Sequence, residues 1–152
     1  MQEKRKLQSE PGLYTLKRAY ELLIEGITPW VALGNFMNDF YGYFVEKRQE
    51  LIDEPIVVPE NATEEQLRWA VFFAASAEYH ANKYNLQIPE WCQDSMYTEV
   101  KEEWVMSVRP SPSEAIRERY KNTSPEEFRR RKIYCGSRVF ANKYEQAVRK
   151  SS

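Results

Sequence analysis

The chain has 152 residues, a formal net charge of −1 and an aromatic content of 14%. This length suits one domain that buries roughly two-thirds of its unfolded surface, and no apolar run reaches the roughly 18 residues of a membrane span. The N-terminus lacks an apolar signal segment, and Cys92 and Cys135 match no metal-binding spacing. We therefore expect one domain over residues 1–152, cytoplasmic with reduced thiols, in which residues 1–9 are loosely ordered.

Two helices are predicted for the first third of the chain. Ser-Glu-Pro at residues 9–11 is a typical helix start, and Gly26 is a natural left-handed helix end. Thr28 and Pro29 begin a second helix, which we expect to run to residue 51 or 52. Because the link between them is short, the two helices should form an antiparallel hairpin or a sharp corner.

The second predicted helix carries more aromatic side chains than one groove can cover. It is therefore either buried on two sides or presents an aromatic surface to a partner. Gly34 and Gly42 allow a close approach or a bend. The candidate interface, which would also suit a symmetric homodimer, consists of Trp30, Phe36, Phe40, Tyr41 and Tyr43.

The clearest helix in the sequence spans residues 63–84. Thr63 and Gln66 have the spacing of a capping box, and the stretch from Trp69 to Ala77 contains no charged residue. A helix that is apolar nearly all round is covered by neighbours on several sides. We therefore predict an all-α fold, a compact irregular bundle of five to six helices around this central helix.

The remaining segments are shorter and more polar. The proline-flanked stretch 53–61 predicts an extended connector, and Ala115 and Ile116 should face inward from a helix that Ser113 caps. A helix start at Thr123 or Ser124 leads into a run of cations. The other predicted helices cover residues 99–106, 113–120 and 137–149.

Charge is unevenly distributed along the chain. Residues 53–104 contain eleven acidic and three basic residues, whereas residues 111–152 contain five acidic and eleven basic residues. Separated charges of this size either steer a partner towards the protein or face each other within one fold. Both interpretations remain open at this point.

No set of residues in the sequence has the spacing of a catalytic or metal site. His80 is the single histidine, and a zinc-binding helix would need a second ligand four residues away. Glu102 and Glu103 are adjacent, so on a helix they would point about 100° apart. We predict no catalytic residue, no metal and no cofactor; a small enzyme site assembled around His80 and Glu78 is one alternative.

The most distinctive charged segment is the run of cations at residues 129–132. Four consecutive cations on a helix point to all sides, and near a helix C-terminus they compensate the dipole. Those that reach the surface would bind either nucleic-acid phosphate or an acidic protein surface. A nucleic-acid-binding regulator that uses the basic C-terminal third is therefore a second alternative.

Three short motifs occur together in this chain: Ile88-Pro89-Glu90-Trp91, Glu103-Trp104, and the segment from Ser124-Pro125 through Arg129-Arg130-Arg131 to Tyr134. Over residues 64–140 this pattern resembles a group of small helical bacterial proteins. Members of that group occur near toxin-like genes such as those of nucleotidyltransferases. The resemblance implies an antitoxin-like or immunity-like protein that neutralises a protein partner.

The same motifs suggest a physical arrangement. The two tryptophans would pack over the central helix, and the arginines would hold Asp94, Glu99 or Glu102 through bidentate pairs. Such a clamp would be structural, whereas the same cations left at the surface would bind the partner. The candidate clamp or partner-binding residues are Trp91, Trp104, Arg129, Arg130, Arg131 and Lys132.

Overall fold

The fold is described by a computed structural model, which covers residues 12–107 and 111–145. Within those ranges the regular secondary structure is helical apart from one pair of two-residue strands, so the predicted all-α class is confirmed. In chain order the elements are α1 (Leu16–Ile24), α2 (Pro29–Asn38), α3 (Arg48–Asp53), α4 (Glu64–Lys83), β1 (Trp104–Val105), α5 (Glu114–Thr123), α6 (Glu126–Arg129) and β2 (Ile133–Tyr134).

Helix α4 is the predicted central helix, and its start has the predicted cap. The Thr63 hydroxyl accepts a hydrogen bond from Gln66 N at 3.1 Å, and the Gln66 side chain accepts one from Thr63 N at 2.9 Å. Phe72 and Phe73 lie on different faces of the helix and are both fully buried. Helices α1, α3 and α6 pack against α4. The apolar stretch is buried because neighbours cover it on several sides.

Helix α1 begins later than its sequence predicts. Residues 12–15 are not helical, and the Thr15 hydroxyl caps the helix by accepting a hydrogen bond from Arg18 N at 3.0 Å. Tyr14 N donates instead to the buried Asp39 carboxylate at 2.8 Å, which holds this segment in an extended form. The start predicted at residues 9–11 lies outside the described residues, as do residues 1–9, whereas the predicted end at Gly26 is confirmed by its φ of 108°.

The single helix predicted from Pro29 to residue 51 or 52 is wrong. Helix α2 ends at Asn38 and is followed by a π-helical turn over Asp39–Tyr43, a break at Phe44 and a 3₁₀ turn before α3. The break is stabilised from outside the turn, because Arg48 Nε donates to the Phe40 carbonyl at 2.8 Å.

Gly42 provides a close approach in this π-helical turn. A Cβ atom at Gly42 would lie 2.6 Å from the ring of Tyr144, well inside van der Waals contact. At Gly34, by contrast, nothing lies within 4 Å of such an atom. The C-terminal segment therefore packs against the turn because residue 42 has no side chain.

The brief helix predicted for residues 99–106 is also wrong. Trp104 and Val105 form β1, which pairs in parallel with β2 in the register Trp104 to Ile133. Trp104 N donates to the Lys132 carbonyl at 2.9 Å. The partner strand lies 29 residues later in the chain, so no local pattern indicated it.

The C-terminal third follows its predictions in part. Ser113 caps α5 through a hydrogen bond from Ile116 N at 3.3 Å, but Ala115 is exposed and Ile116 is only half-buried. The helix predicted from Ser137 is absent at residues 137–142 and begins at residue 143, because Asn142 caps it by accepting from Glu145 N at 3.0 Å. The predicted continuation to residue 149 lies outside the described residues.

Candidate functional site

Arg131 is the buried centre of the segment that the sequence singled out. The residue lies just after α6 in the chain, and its side chain donates a hydrogen bond to the Glu78 carboxylate at 2.7 Å. It also donates to three main-chain carbonyls: Glu127 and Tyr97 at 2.8 Å and Cys92 at 3.0 Å. All three nitrogens of the guanidinium are used in these bonds. Arg131 therefore joins three parts of the chain in one buried contact: α4, α6, and the segment that follows α4.

The carboxylate of Glu78 is the anion of this cluster. Burial raises its pKa, but hydrogen bonds from Arg131 and Arg130 and the charges of both outweigh that effect, so the pKa lies below its ordinary value. Glu78 and Arg131 are both almost fully buried, whereas Arg130 reaches Glu78 from the surface. Glu78 therefore remains ionised at neutral pH, and removal of Arg131 would leave its buried charge without a buried partner.

The acids predicted as partners of the arginines are not the ones in contact. Asp94, Glu99 and Glu102 were expected, but Arg130 and Arg131 pair with Glu78 of the central helix. The segment after α4 contributes main-chain carbonyls instead, those of Cys92 and Tyr97, which lie in two short 3₁₀ turns. Among the three expected acids, Glu99 pairs with Lys132 at 3.0 Å.

The four consecutive cations therefore have different roles. Arg131 is buried, Arg130 is partly exposed at the same carboxylate, and Lys132 pairs with Glu99. Arg129 is exposed and pairs with Glu126 one turn earlier in α6, at 2.9 Å. Lys132 has a φ of 66°, which turns the chain away between the end of α6 and β2. This change of direction places Arg131 inside and its neighbours outside.

The two predicted tryptophans have structural contacts. Trp104 packs edge-to-face against Trp69 of α4 at a centroid distance of 4.9 Å, and the guanidinium of Arg68 lies 4.1 Å from its ring. Trp91 donates from Nε1 to the Ile52 carbonyl at 3.0 Å. Both rings thus help to anchor the segment between α4 and α5.

The aromatic interface predicted for the second helix does not exist as a single surface. Phe36 and Phe40 are fully buried and Tyr41 is 5% exposed, so these three belong to the core. Tyr43 is exposed. Trp30 is 43% exposed but packs against α4. The π-helical turn rotates this segment so that most of its rings face α4.

His80 is fully buried and both of its ring nitrogens are occupied. Nδ1 lies 2.7 Å from the Ser76 carbonyl, which can only accept, so Nδ1 carries the proton. Nε2 then accepts from the Tyr41 hydroxyl. Burial lowers the pKa of His80 to about 3. Glu78 points away to Arg131, so the side chains of His80 and Glu78 do not form a shared site.

The two oppositely charged halves of the chain meet within the fold. Glu103 pairs with Arg117 at 3.0 Å and with Lys121 at 3.5 Å. The pairs Glu99 with Lys132 and Glu78 with Arg131 join the same halves. Much of the charge asymmetry is therefore internal, and it orients α5 and α6 against the acidic half.

A surface groove of about 560 Å³ lies between residues 64–71 of α4 and residues 96–103. We call it the acidic groove. Its lining is apolar at the base, where Val71, Tyr97 and Val100 are largely buried. Five glutamates and two cations also line it: Glu64, Glu65, Glu99, Glu102 and Glu103, with Arg68 and Lys101.

The acidic groove has no local signal in the amino-acid sequence. The excess of acids over residues 53–104 was visible, but nothing local shows that residues 64–71 and 96–103 face each other. The β1–β2 pairing and the Arg131 cluster bring them together, since Val100 N donates to the Arg131 carbonyl at 3.0 Å. The predicted clamp residues thus support a groove that they do not line.

A smaller polar depression of about 520 Å³ is lined in part by Lys83, Arg138, Asn142 and Glu145. Its cations are partly neutralised, because Lys83 pairs with Glu145 at 3.6 Å. Glu145 also accepts hydrogen bonds from Asn142 and from Tyr84. Its polar groups therefore largely bond to one another.

None of the protein-family models, curated proteins or solved structures compared with this chain matches it. Across residues 12–107 and 111–145, no group of three or more histidine, cysteine or acidic side chains could hold a metal ion. Among the helices of those same residues, none has the length and apolarity needed to cross a bilayer.

Proposed function

We propose that this protein is a non-enzymatic protein-binding module, antitoxin-like or immunity-like, that neutralises a protein partner. The observation that supports this most directly is the acidic groove. Leu67 and Met96 line it and are 42% and 49% exposed. A contiguous apolar surface rimmed by charged side chains is typical of protein interaction sites.

The chemically most reactive side chains, the histidine and the two cysteines, support the same proposal. Their hydrogen bonds and burial within the fold reduce their reactivity. The ring of His80 has two internal hydrogen bonds, and burial raises the pKa of the Cys92 and Cys135 thiols to about 12. A neutral thiol is a poor nucleophile. Within the described residues, the exposed features suited to recognition are the shape of the acidic groove, its apolar side chains and its charged side chains.

The test is site-specific photo-crosslinking in the source cell. A photoreactive phenylalanine analogue replaces Leu67 in the acidic groove, and a matched control replaces Val57, which is 62% exposed and does not line the groove. We expect one protein to be captured through position 67 and not through position 57. Capture of no protein from either position, with both variants folded, would contradict the proposal.

A nucleic-acid-binding regulator is the second candidate function. Arg119 and Arg138 are exposed and make no ion pair with a described residue, which leaves them free for phosphate. Against this, Arg117, Lys121 and Lys132 are already paired with acids. Binding to duplex DNA that weakens steeply with salt, and that Arg119→Ala with Arg138→Ala abolishes, would favour this candidate.

A further inference from the structure

The acidic groove has the dimensions and chemistry of a helix-binding site. Its α4 wall covers residues 64–71, which corresponds to roughly 11 Å or two helical turns at 1.5 Å per residue. A helix that binds in a groove places apolar side chains at positions i, i+3 or i+4, and i+7. Two turns of wall accommodate one such set.

The contacts made by the groove walls distinguish a helix from an extended strand. From Leu67 onward the amides of the α4 wall are bonded to helix carbonyls, and Gln66 N donates to the Thr63 hydroxyl. The amides of Val100 and Trp104 already donate to the Arg131 and Lys132 carbonyls. An extended segment would place its own amides and carbonyls beside walls whose hydrogen bonds are already made. That arrangement is costly for buried backbone groups. A helix satisfies its backbone internally and needs only side-chain contacts.

The apolar contacts suit a helix with one hydrophobic face. Leu67 projects from the α4 side and Met96 from the opposite side of the groove. Val71 and Val100 lie between them, largely buried. Methionine adapts its shape to a partner because it is unbranched and has three rotatable bonds. An apolar helix face would therefore remove Leu67 and Met96 from water.

The charges select a basic partner. Five glutamates line the groove, but Glu99 and Glu103 already pair with cations outside its lining. Of the others, Glu64 pairs with Lys101 at 3.1 Å and Glu65 pairs with Arg68 at 2.9 Å. Both of these pairs are at the surface, so they contribute little and are easily exchanged. Glu102 makes no ion pair with any residue of the described ranges. Lysines or arginines that flank an apolar helix face would meet these carboxylates.

We propose that the acidic groove binds a basic amphipathic α-helix of the protein partner. This inference rests on the proposed function and names the chemistry of its partner. The partner's apolar residues contact Leu67 and Met96, and its cations pair with Glu64, Glu65 and Glu102.

Binding is tested with three fluorescent 15-residue peptides of leucine and a charged residue. One is amphipathic and basic, one is its glutamate counterpart, and one has the basic composition in an order without helical periodicity. We expect only the first to bind the full chain tightly, as measured by fluorescence anisotropy. Equal binding of the non-periodic basic peptide would overturn the proposal, because it would indicate non-specific charge attraction.

The site is tested with two charge-matched variants of the full chain. The triple variant Glu64→Gln, Glu65→Gln, Glu102→Gln should weaken binding of the amphipathic basic peptide about tenfold, or about 1.4 kcal/mol. The control Glu25→Gln, Glu46→Gln, Glu118→Gln removes three exposed acids outside the groove and should leave binding unchanged. Equal loss in both variants would contradict the assigned site.

The outcomes also separate this inference from the proposed function. If position 67 captures a cellular protein but the basic peptide does not bind, the protein is a binding module whose partner is not a basic helix. If the amphipathic basic peptide binds the wild type and Leu67→Asp abolishes that binding, the groove assignment stands independently of cell extracts. Thermal unfolding of each variant checks that it is folded.

Discussion

The Glu78 carboxylate of the central helix lies 2.7 Å from a guanidinium nitrogen of Arg131, and both side chains are buried. The two residues are 53 positions apart in the chain. Their contact brings α4 and the segment after α6 together and leaves the acidic groove on the adjacent surface. The stability of the fold and the shape of its candidate binding site therefore depend on the same pair.

Replacing Arg131 should strongly destabilise the protein. Arg131→Met leaves Glu78 without its buried partner and three carbonyls without a donor, so we expect a loss of about 3–5 kcal/mol in the free energy of unfolding. Arg129→Met is the matched control, because its ion pair is exposed; it should cost less than about 1 kcal/mol. Urea unfolding measures both.

A double variant tests whether the effect comes from the pair. Each single variant leaves one buried charge without its partner, whereas the double variant Glu78→Gln, Arg131→Met removes both charges. The double variant should therefore be less destabilising than the sum of the two single variants. Strict additivity would mean that Glu78 and Arg131 do not interact energetically.

The single histidine should remain neutral in the folded protein well below pH 6. Burial lowers the pKa of His80 to about 3, so its ring resonances in NMR spectra should not move between pH 8 and 5. The spectra are unambiguous because the chain contains one histidine. A titration midpoint near 6.5 in the native protein would show that the ring is accessible to protons.

The same shift predicts how stability depends on pH. Below about pH 6.5 the unfolded chain binds a proton at His80 and the folded protein does not, until about pH 3. The free energy of unfolding should therefore fall on acidification across this window, by about 1.4 kcal/mol per pH unit from this group. The stability difference between the wild type and His80→Gln should shift in favour of the variant as the pH falls.

Two glycines of the same chain segment should respond to alanine in opposite ways. Gly42→Ala places a methyl group against the Tyr144 ring and should destabilise the protein by about 1–2 kcal/mol. Gly34→Ala lies in α2 with nothing within 4 Å and should stabilise it by about 0.5–1 kcal/mol. In a Tyr144→Ala background, the cost of Gly42→Ala should disappear; a cost that persists would point to the turn itself.

The capping box of α4 should contribute measurably to stability. Thr63→Ala removes the hydroxyl that accepts from Gln66 N and should cost about 1 kcal/mol. Thr28→Ala is the control, since Thr28 occupies the cap position of α2 without a side-chain hydrogen bond. Equal effects of the two substitutions on thermal unfolding would show that the cap bond of Thr63 is not the cause.

Elements whose stabilising contacts are local could be predicted from the amino-acid sequence. The capping box at Thr63, the end of α1 at Gly26 and the start of α2 at Pro29 depend on residues within one turn. The apolar stretch of α4 likewise identified the centre of the core. These features are readable because caps and helical periodicity link residues three or four positions apart.

The tertiary structure alone decided the features that join distant segments. The break after α2, the parallel pairing of Trp104 with Ile133 and the choice of Glu78 as partner of Arg131 all involve contacts between separate elements. Many carboxylates were available to the arginines, and sequence cannot rank them by distance. The acidic groove exists because those contacts place residues 96–103 beside α4, and only packing in three dimensions specifies that placement.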